Sequence, residues 1–188
     1  MEDFQFSVDL GGMISLLSDH LYSSPDVFLR ELIQNGADAI SMRENFDRNF
    51  SDGKLCISAS KGESITFSDN GIGLTEEEIH KFVSVIGQSS KRTDDGNFIG
   101  KFGIGLLSCF IVTDEIVMRS RSAKCPEKAV EWHGFADGRY SVKEIEADIS
   151  IGTEVYFKAA KGCEKYFDGG YIEEMARYFA LPLPYPIL

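Results

Sequence analysis

Cysteine is sparse and scattered. Cys56, Cys109, Cys125 and Cys163 stand far apart with no C-x-x-C pair, and His20, His80 and His133 show no ligand spacing. Neither a structural zinc site nor a disulfide framework is expected from that pattern. Long apolar runs are missing too: the most apolar stretch, Ile104 to Val112, is far short of the roughly 20 residues that cross a bilayer. The opening Met1-Glu2-Asp3-Phe4 lacks the basic patch and apolar run of a secretory signal. A cytoplasmic protein with reduced thiols and no membrane partner is expected. Basic side chains are the minority, 19 against 30 acidic ones, for a net charge of −11. Such a surface repels a nucleic-acid backbone, so no nucleic-acid partner is expected.

What is present suits one globular unit. With 43% apolar residues over 188 positions, the chain can bury one substantial core, and residues 1–188 are read as a single domain. Apolar residues from Val8 to Leu21 suggest a short helix. Ser23-Ser24-Pro25-Asp26 offers a capping hydroxyl and a proline near the first helical position, starting a long helix from about Pro25 to Phe46. Lys54 to Ser60 and Ser64 to Phe67 read as a hairpin turning at Lys61-Gly62-Glu63. Thr75-Glu76-Glu77-Glu78 has the form of a capping box opening another helix. Gly87 to Gly100 is polar and aperiodic and reads as a mobile loop. Leu106 to Val112 fits a helix entered from a glycine turn. Four strands follow, Glu115 to Ser120, Ala129 to Ala136, Arg139 to Ile145 and Thr153 to Phe157, with Asp137-Gly138 turning the middle pair. A last helix runs near Ile172 to Phe179. Helices and mostly antiparallel strands in separate runs predict an α+β fold, a two-layer sandwich with helices covering one face of the sheet.

Three segments carry chemistry. On the long helix Glu31, Asn35 and Asp38 form one polar stripe bordered by Phe28, Leu32 and Ala39. Such a stripe must meet solvent, a polar partner or a ligand, because burial without partners costs several kcal/mol per group. By itself it is equally an ordinary solvent-facing stripe. Asp69-Asn70-Gly71-Ile72-Gly73, at the end of a strand, sets a fixed acceptor beside backbone that a flat ligand can approach. An exocyclic amine, as on adenine, would donate to such a carboxylate, whereas the carbonyl oxygen of guanine would be repelled. The same pentapeptide is also a common turn. Gly100-Lys101-Phe102-Gly103-Ile104-Gly105 presents free N–H groups and a helix start to an anion, or else is a packing turn. It is not a P-loop: Gly96 to Lys101 is one residue short and Phe102 replaces the hydroxyl. Nor is it a dinucleotide fingerprint, since Ser108 replaces the third glycine and no βαβ unit surrounds it.

Taken in order and spacing, Phe28 to Ile40, Asp69 to Thr75, Ile99 to Gly105 and Gly152-Thr153-Glu154 resemble the ATP site of the GHKL superfamily, whose two-layer fold is of the Bergerat type. Within it the chain looks like the N-terminal ATP-binding domain of the heat shock protein 90 chaperones. The resemblance runs from Phe4 to nearly the last residue.

That resemblance implies ATP or ADP with Mg²⁺ as cofactors and slow hydrolysis by a domain belonging to a longer chaperone chain. Asn35 would coordinate the metal, and Glu31 would act as the catalytic base on the attacking water. Asp69, Gly73 and Thr153 would form the adenine pocket, Asp38 would line the pocket beside Asn35, and Gly100, Gly103 and Gly105 would hold the phosphates. Ser89 to Asn97 would belong to a lid. Client proteins, co-chaperones and a homodimer formed through other regions are the implied partners, and folding under stress the implied role. Departures from the family pattern are Phe82 at a usual asparagine, Gln88 at a usual lysine, Leu106 at a usual phenylalanine, and a short polar stretch between Ser89 and Phe98. Another GHKL-type ATPase, or a nucleotide sensor with little turnover, is the alternative.

Overall fold

A computed structural model of the chain describes residues 25–86 and 105–188. The expected helix over Val8 to Leu21, the capping serines, the loop from Gly87 to Gly100 and the lid segment, together with Gly100, Gly103, Gln88 and the side chain of Phe82, lie outside the described residues. Helix α1 spans Val27–Phe46. Strands β1 (Leu55–Ser60) and β2 (Ser64–Asp69) follow as the expected hairpin. Then come α2 (Glu76–Ile86), a 3-10 segment (Leu106–Ile111), and strands β3 (Glu115–Arg121), β4 (Ala129–Phe135), β5 (Tyr140–Ile145) and β6 (Gly152–Lys158). A short 3-10 turn (Glu164–Phe167), not foreseen from the sequence, leads into α3 (Gly169–Ala180).

The six strands make one antiparallel sheet in the order β1-β2-β6-β3-β4-β5. Inserting β6 between β2 and β3 places Asp69 opposite Thr153 and Thr153 opposite Ser120, so one end of three neighbouring strands carries these three side chains in a row.

Alternation of side chains along each strand gives the sheet a dry face and a wet one. Ile65, Phe67, Ile116, Met118, Val155 and Phe157 are buried on the dry face. Against it lies α1, whose Phe28, Leu29, Leu32, Ile33 and Ile40 are buried. Phe28, Phe157 and Phe167 form an aromatic triad with ring centroids 5.8 to 6.1 Å apart, joining helix, sheet and 3-10 turn. The expected α+β two-layer sandwich is therefore the observed one.

The start of α2 is set locally, by the capping box read from the sequence. Glu78 N–H donates to Thr75 Oγ1 at 3.2 Å and Thr75 N–H to Glu78 Oε2 at 2.9 Å, satisfying two donors that a helix N-terminus otherwise leaves open. Thr75→Ala is expected to cost about 1 kcal/mol of stability, read as a lower urea midpoint with an unchanged slope.

Candidate functional site

The site begins at the sheet end that bears Asp69, Thr153 and Ser120. Asp69 Oδ1 accepts from the Gly71 N–H at 2.8 Å, and the backbone N–H of Thr153 also donates to its carboxylate. Burial among apolar walls nevertheless dominates and lifts the Asp69 pKa from its ordinary value to about 7, against the lowering effects of those two donors and of the Arg43 charge. A carboxylate kept this way retains unspent acceptor capacity and gains strongly from a ligand that donates to it.

Next to Asp69 the chain turns under α1. Ile72 N–H donates to Ala39 O at 2.9 Å, and a Cβ on Gly71 would lie 2.5 Å from the Ala39 carbonyl carbon; only glycine lets the turn come this close. Gly73 has φ +65°, and a Cβ there would stand 2.1 Å from Arg121 O, so the motif's second glycine is required by conformation and by space. Ser120 fastens this turn to β6. Its buried hydroxyl accepts from Leu74 N–H at 2.8 Å, donates to Gly152 O at 2.9 Å and lies 3.0 Å from Thr153 Oγ1.

Above these groups is a cavity of about 100 Å³. Its walls are Leu32, Ala39, Met42, Ile72, Leu74, Leu106, Met118 and Val155; Asp69 and Thr153 stand at its sheet end, and Asn35, Gly73, Glu78, Lys81 and Lys124 complete the lining. Four residues singled out in the sequence, Asn35, Asp69, Gly73 and Thr153, thus share one cavity.

Glu31 and Gly105 lie just beyond those walls, next to Asn35. A Cβ on Gly105 would be 2.7 Å from Glu31 Oε2 and 3.5 Å from Asn35 Nδ2, so the bare glycine leaves room for the carboxylate. Glu31 Oε1 is held by Arg30 at 2.9 Å. Asp38 Oδ1 accepts from the exposed Gln34 at 3.0 Å, one helical turn back toward the N-terminus.

The sequence reading missed the rim. Lys124, in the turn between β3 and β4, pairs with Glu78 at 2.6 Å across the mouth. Burial works against the Glu78 charge, but Lys124 and the Thr75 donors outweigh it and hold the carboxyl below its ordinary pKa. Cys109, fully buried, has its thiol pushed well up by burial and then by the Glu31 charge, which removes it as a nucleophile. A larger groove of about 610 Å³ lies between α3 and residues 185–188, but its charged lining residues, Glu173 and Arg177, pair with each other at 2.7 Å. Among the described residues no group of three or more His, Cys, Asp or Glu side chains is placed to hold a metal, and no helix is long and apolar enough to cross a membrane.

The family described as "Histidine kinase-, DNA gyrase B-, and HSP90-like ATPase" matches residues 22–159, which takes in α1, the Asp69 turn and Thr153 together. The chain belongs to this ATPase family. Its antiparallel six-stranded sheet with helices on one face is the fold of that family. Among individual relatives, "Chaperone protein HtpG" of Sulfurovum sp. (strain NBC37-1) is 30% identical over 206 aligned residues, covering 100% of this chain and 33% of the relative. The protein of the same description from Chlorobium phaeobacteroides is also 30% identical, with the same coverage. That from Coxiella burnetii (strain RSA 493 / Nine Mile phase I) is 32% identical over 89% of this chain and 29% of the relative. The chain spans about a third of the length of these curated relatives, so the family ATPase domain is the part of them that it matches.

Proposed function

We propose that this chain is the ATP-binding, slowly ATP-hydrolysing domain of a molecular chaperone of the heat shock protein 90 type. The observation that carries the reading is a cavity with apolar walls that is lined by Asp69, Thr153 and Asn35, with Glu31 and Asn35 both beside Gly105. Adenine would suit this shape: its faces would lie against Ile72, Met118 and Val155, and its amine would donate to Asp69, whose two oxygens can accept more than the Gly71 and Thr153 N–H groups.

The residues present fit magnesium as well as nucleotide. Mg²⁺ is commonly held by one or two protein oxygens plus substrate phosphates rather than by an all-protein cage, and the amide oxygen of Asn35, a residue lining the cavity, is a donor of that kind. Asn35 is the side chain that would hold it, and the bound ion would neutralise charge on the phosphates. Gly105, and by the family resemblance Gly100 and Gly103, would supply N–H groups to those phosphates. Glu31, whose Oε1 accepts from Arg30 and whose Oε2 lies beside Gly105, would orient the attacking water and take its proton. Asp38, one turn along from Asn35 and bonded to Gln34, would border the nucleotide beside Asn35.

In the whole protein the domain would serve client proteins, with co-chaperones and a homodimer formed through other regions, in the cytoplasm and under folding stress. We further infer that residues 1–188 act as a single nucleotide-binding unit, a reading supported by matches that cover the chain and a third of the relatives. Nucleic acid is not among the proposed partners, given the charge of −11.

Titration calorimetry with ATP and GTP in the presence of Mg²⁺ tests the adenine assignment. ATP should bind, and GTP should bind weaker by roughly a hundredfold or more, because its base sets a carbonyl against Asp69. Equal affinities would overturn the reading.

A further inference from the structure

Arg43 lies near the end of α1, outside every motif read from the sequence and outside the lining of the cavity. It is half-buried, yet no carboxylate forms an ion pair with it among the described residues. Its Nη1 donates to Asn70 O at 2.6 Å and, at the limit of a hydrogen bond, to Ile151 O at 3.5 Å. Its guanidinium carbon sits 4.1 Å from the centroid of the Phe50 ring, while Nε is buried without an acceptor among the described residues. A guanidinium taken from water without a carboxylate partner is a poor device for stability alone. Its position relative to the two turns is the informative part. Asn70 follows Asp69 directly, Ile151 precedes Gly152 and Thr153, and Asp69 feels the Arg43 charge.

We propose that Arg43 is a positioning residue for base recognition, one that ties the Asp69 turn to the Thr153 turn and so fixes the spacing of the two groups that read the purine edge. This rests on the adenine assignment of Asp69. One nitrogen, Nη1, faces both carbonyls while the planar guanidinium lies over the Phe50 ring, a stacked placement that an ammonium on a flexible stem does not reproduce. Because Arg43 touches backbone carbonyls rather than ligand, its loss misplaces Asp69 relative to Thr153 and removes a cation from the vicinity of Asp69 at the same time.

The test compares the unsubstituted chain with Arg43→Met and Arg43→Lys. Adenosine, which carries the base without phosphates, is the probe, and affinity is measured by calorimetry from pH 5.5 to 8.5, with folding checked through Trp132 fluorescence. Arg43→Met should weaken adenosine binding by about tenfold and move the midpoint of its pH dependence upward, since the neighbouring cation that favours the carboxylate is gone. Arg43→Lys keeps the charge and loses the planar group stacked on Phe50: its midpoint should stay near that of the unsubstituted chain while affinity is only partly regained, and this variant decides the matter if Arg43→Met does not fold. Unchanged adenosine affinity in a folded variant, or a loss uniform across pH with no midpoint shift in Arg43→Met, would overturn the assignment of Arg43 while leaving the nucleotide reading intact. Failure of the unsubstituted chain to bind adenosine or ATP would overturn both.

Discussion

An Asp69→Asn chain is expected to show no ATP binding by calorimetry and, at pH 8, to be more stable than its parent. The two effects share one cause. Burial raises the Asp69 pKa to about 7, so the folded parent holds a proton there that the unfolded chain, titrating near the ordinary value, has already released. Between about pH 4 and pH 7 the native state binds more protons than the unfolded state, and stability falls as pH rises through that window. Above pH 7 the loss is complete, amounting to at most about 4 kcal/mol for a shift of about three units. Asparagine carries no charge to desolvate and escapes this cost, although it offers Gly71 and Thr153 a weaker acceptor. Urea titrations should therefore show the variant ahead at pH 8 and the advantage fading toward pH 4. Its amide nitrogen meanwhile presents hydrogens to the adenine amine, and recognition fails. Tight ATP binding by the variant would sink the base assignment, and an advantage independent of pH would sink its electrostatic explanation.

Glu31→Gln should separate binding from turnover. The substitution keeps the shape of the side chain and an oxygen to accept from Arg30, so the ATP dissociation constant should change by no more than about threefold. Phosphate release should fall by roughly a hundredfold or more, the usual scale for removing a positioned general base. Steady-state phosphate assays read against calorimetry distinguish the outcomes. If affinity and turnover fall in parallel, Glu31 is holding the Gly105 segment in place rather than handling a proton.

Local features were the legible ones. The hairpin at Lys61-Gly62-Glu63, the turn at Asp137-Gly138 and the Thr75–Glu78 box are decided within four residues, and each lies where the sequence puts it. The length of α1 was readable because its apolar positions repeat over five turns. Strand order was not, since nothing in the Thr153 to Phe157 pattern says that it pairs with β2 on one side and β3 on the other. The meeting of Asp69 with Thr153 consequently came from family resemblance alone. Ser120 offered a signal that went unused: it follows Ile116 and Met118 on the inward-facing set of β3, where a hydroxyl needs a buried partner. Arg43 gave none, because its acceptors are backbone carbonyls 27 and 108 positions away.

A hydroxyl has a single proton to give. Because Ser120 spends it on the Gly152 carbonyl, it can only receive from Leu74, and the residue after Leu74 is the threonine that seats α2. That helix in turn grips Lys124 of the β3–β4 turn through Glu78, which closes a loop of contacts back to the strand that carries Ser120. The sheet end of the cavity and the root of that helix are therefore joined by an unbroken run of hydrogen bonds and backbone, from the Gly152 carbonyl to the Lys124 ammonium.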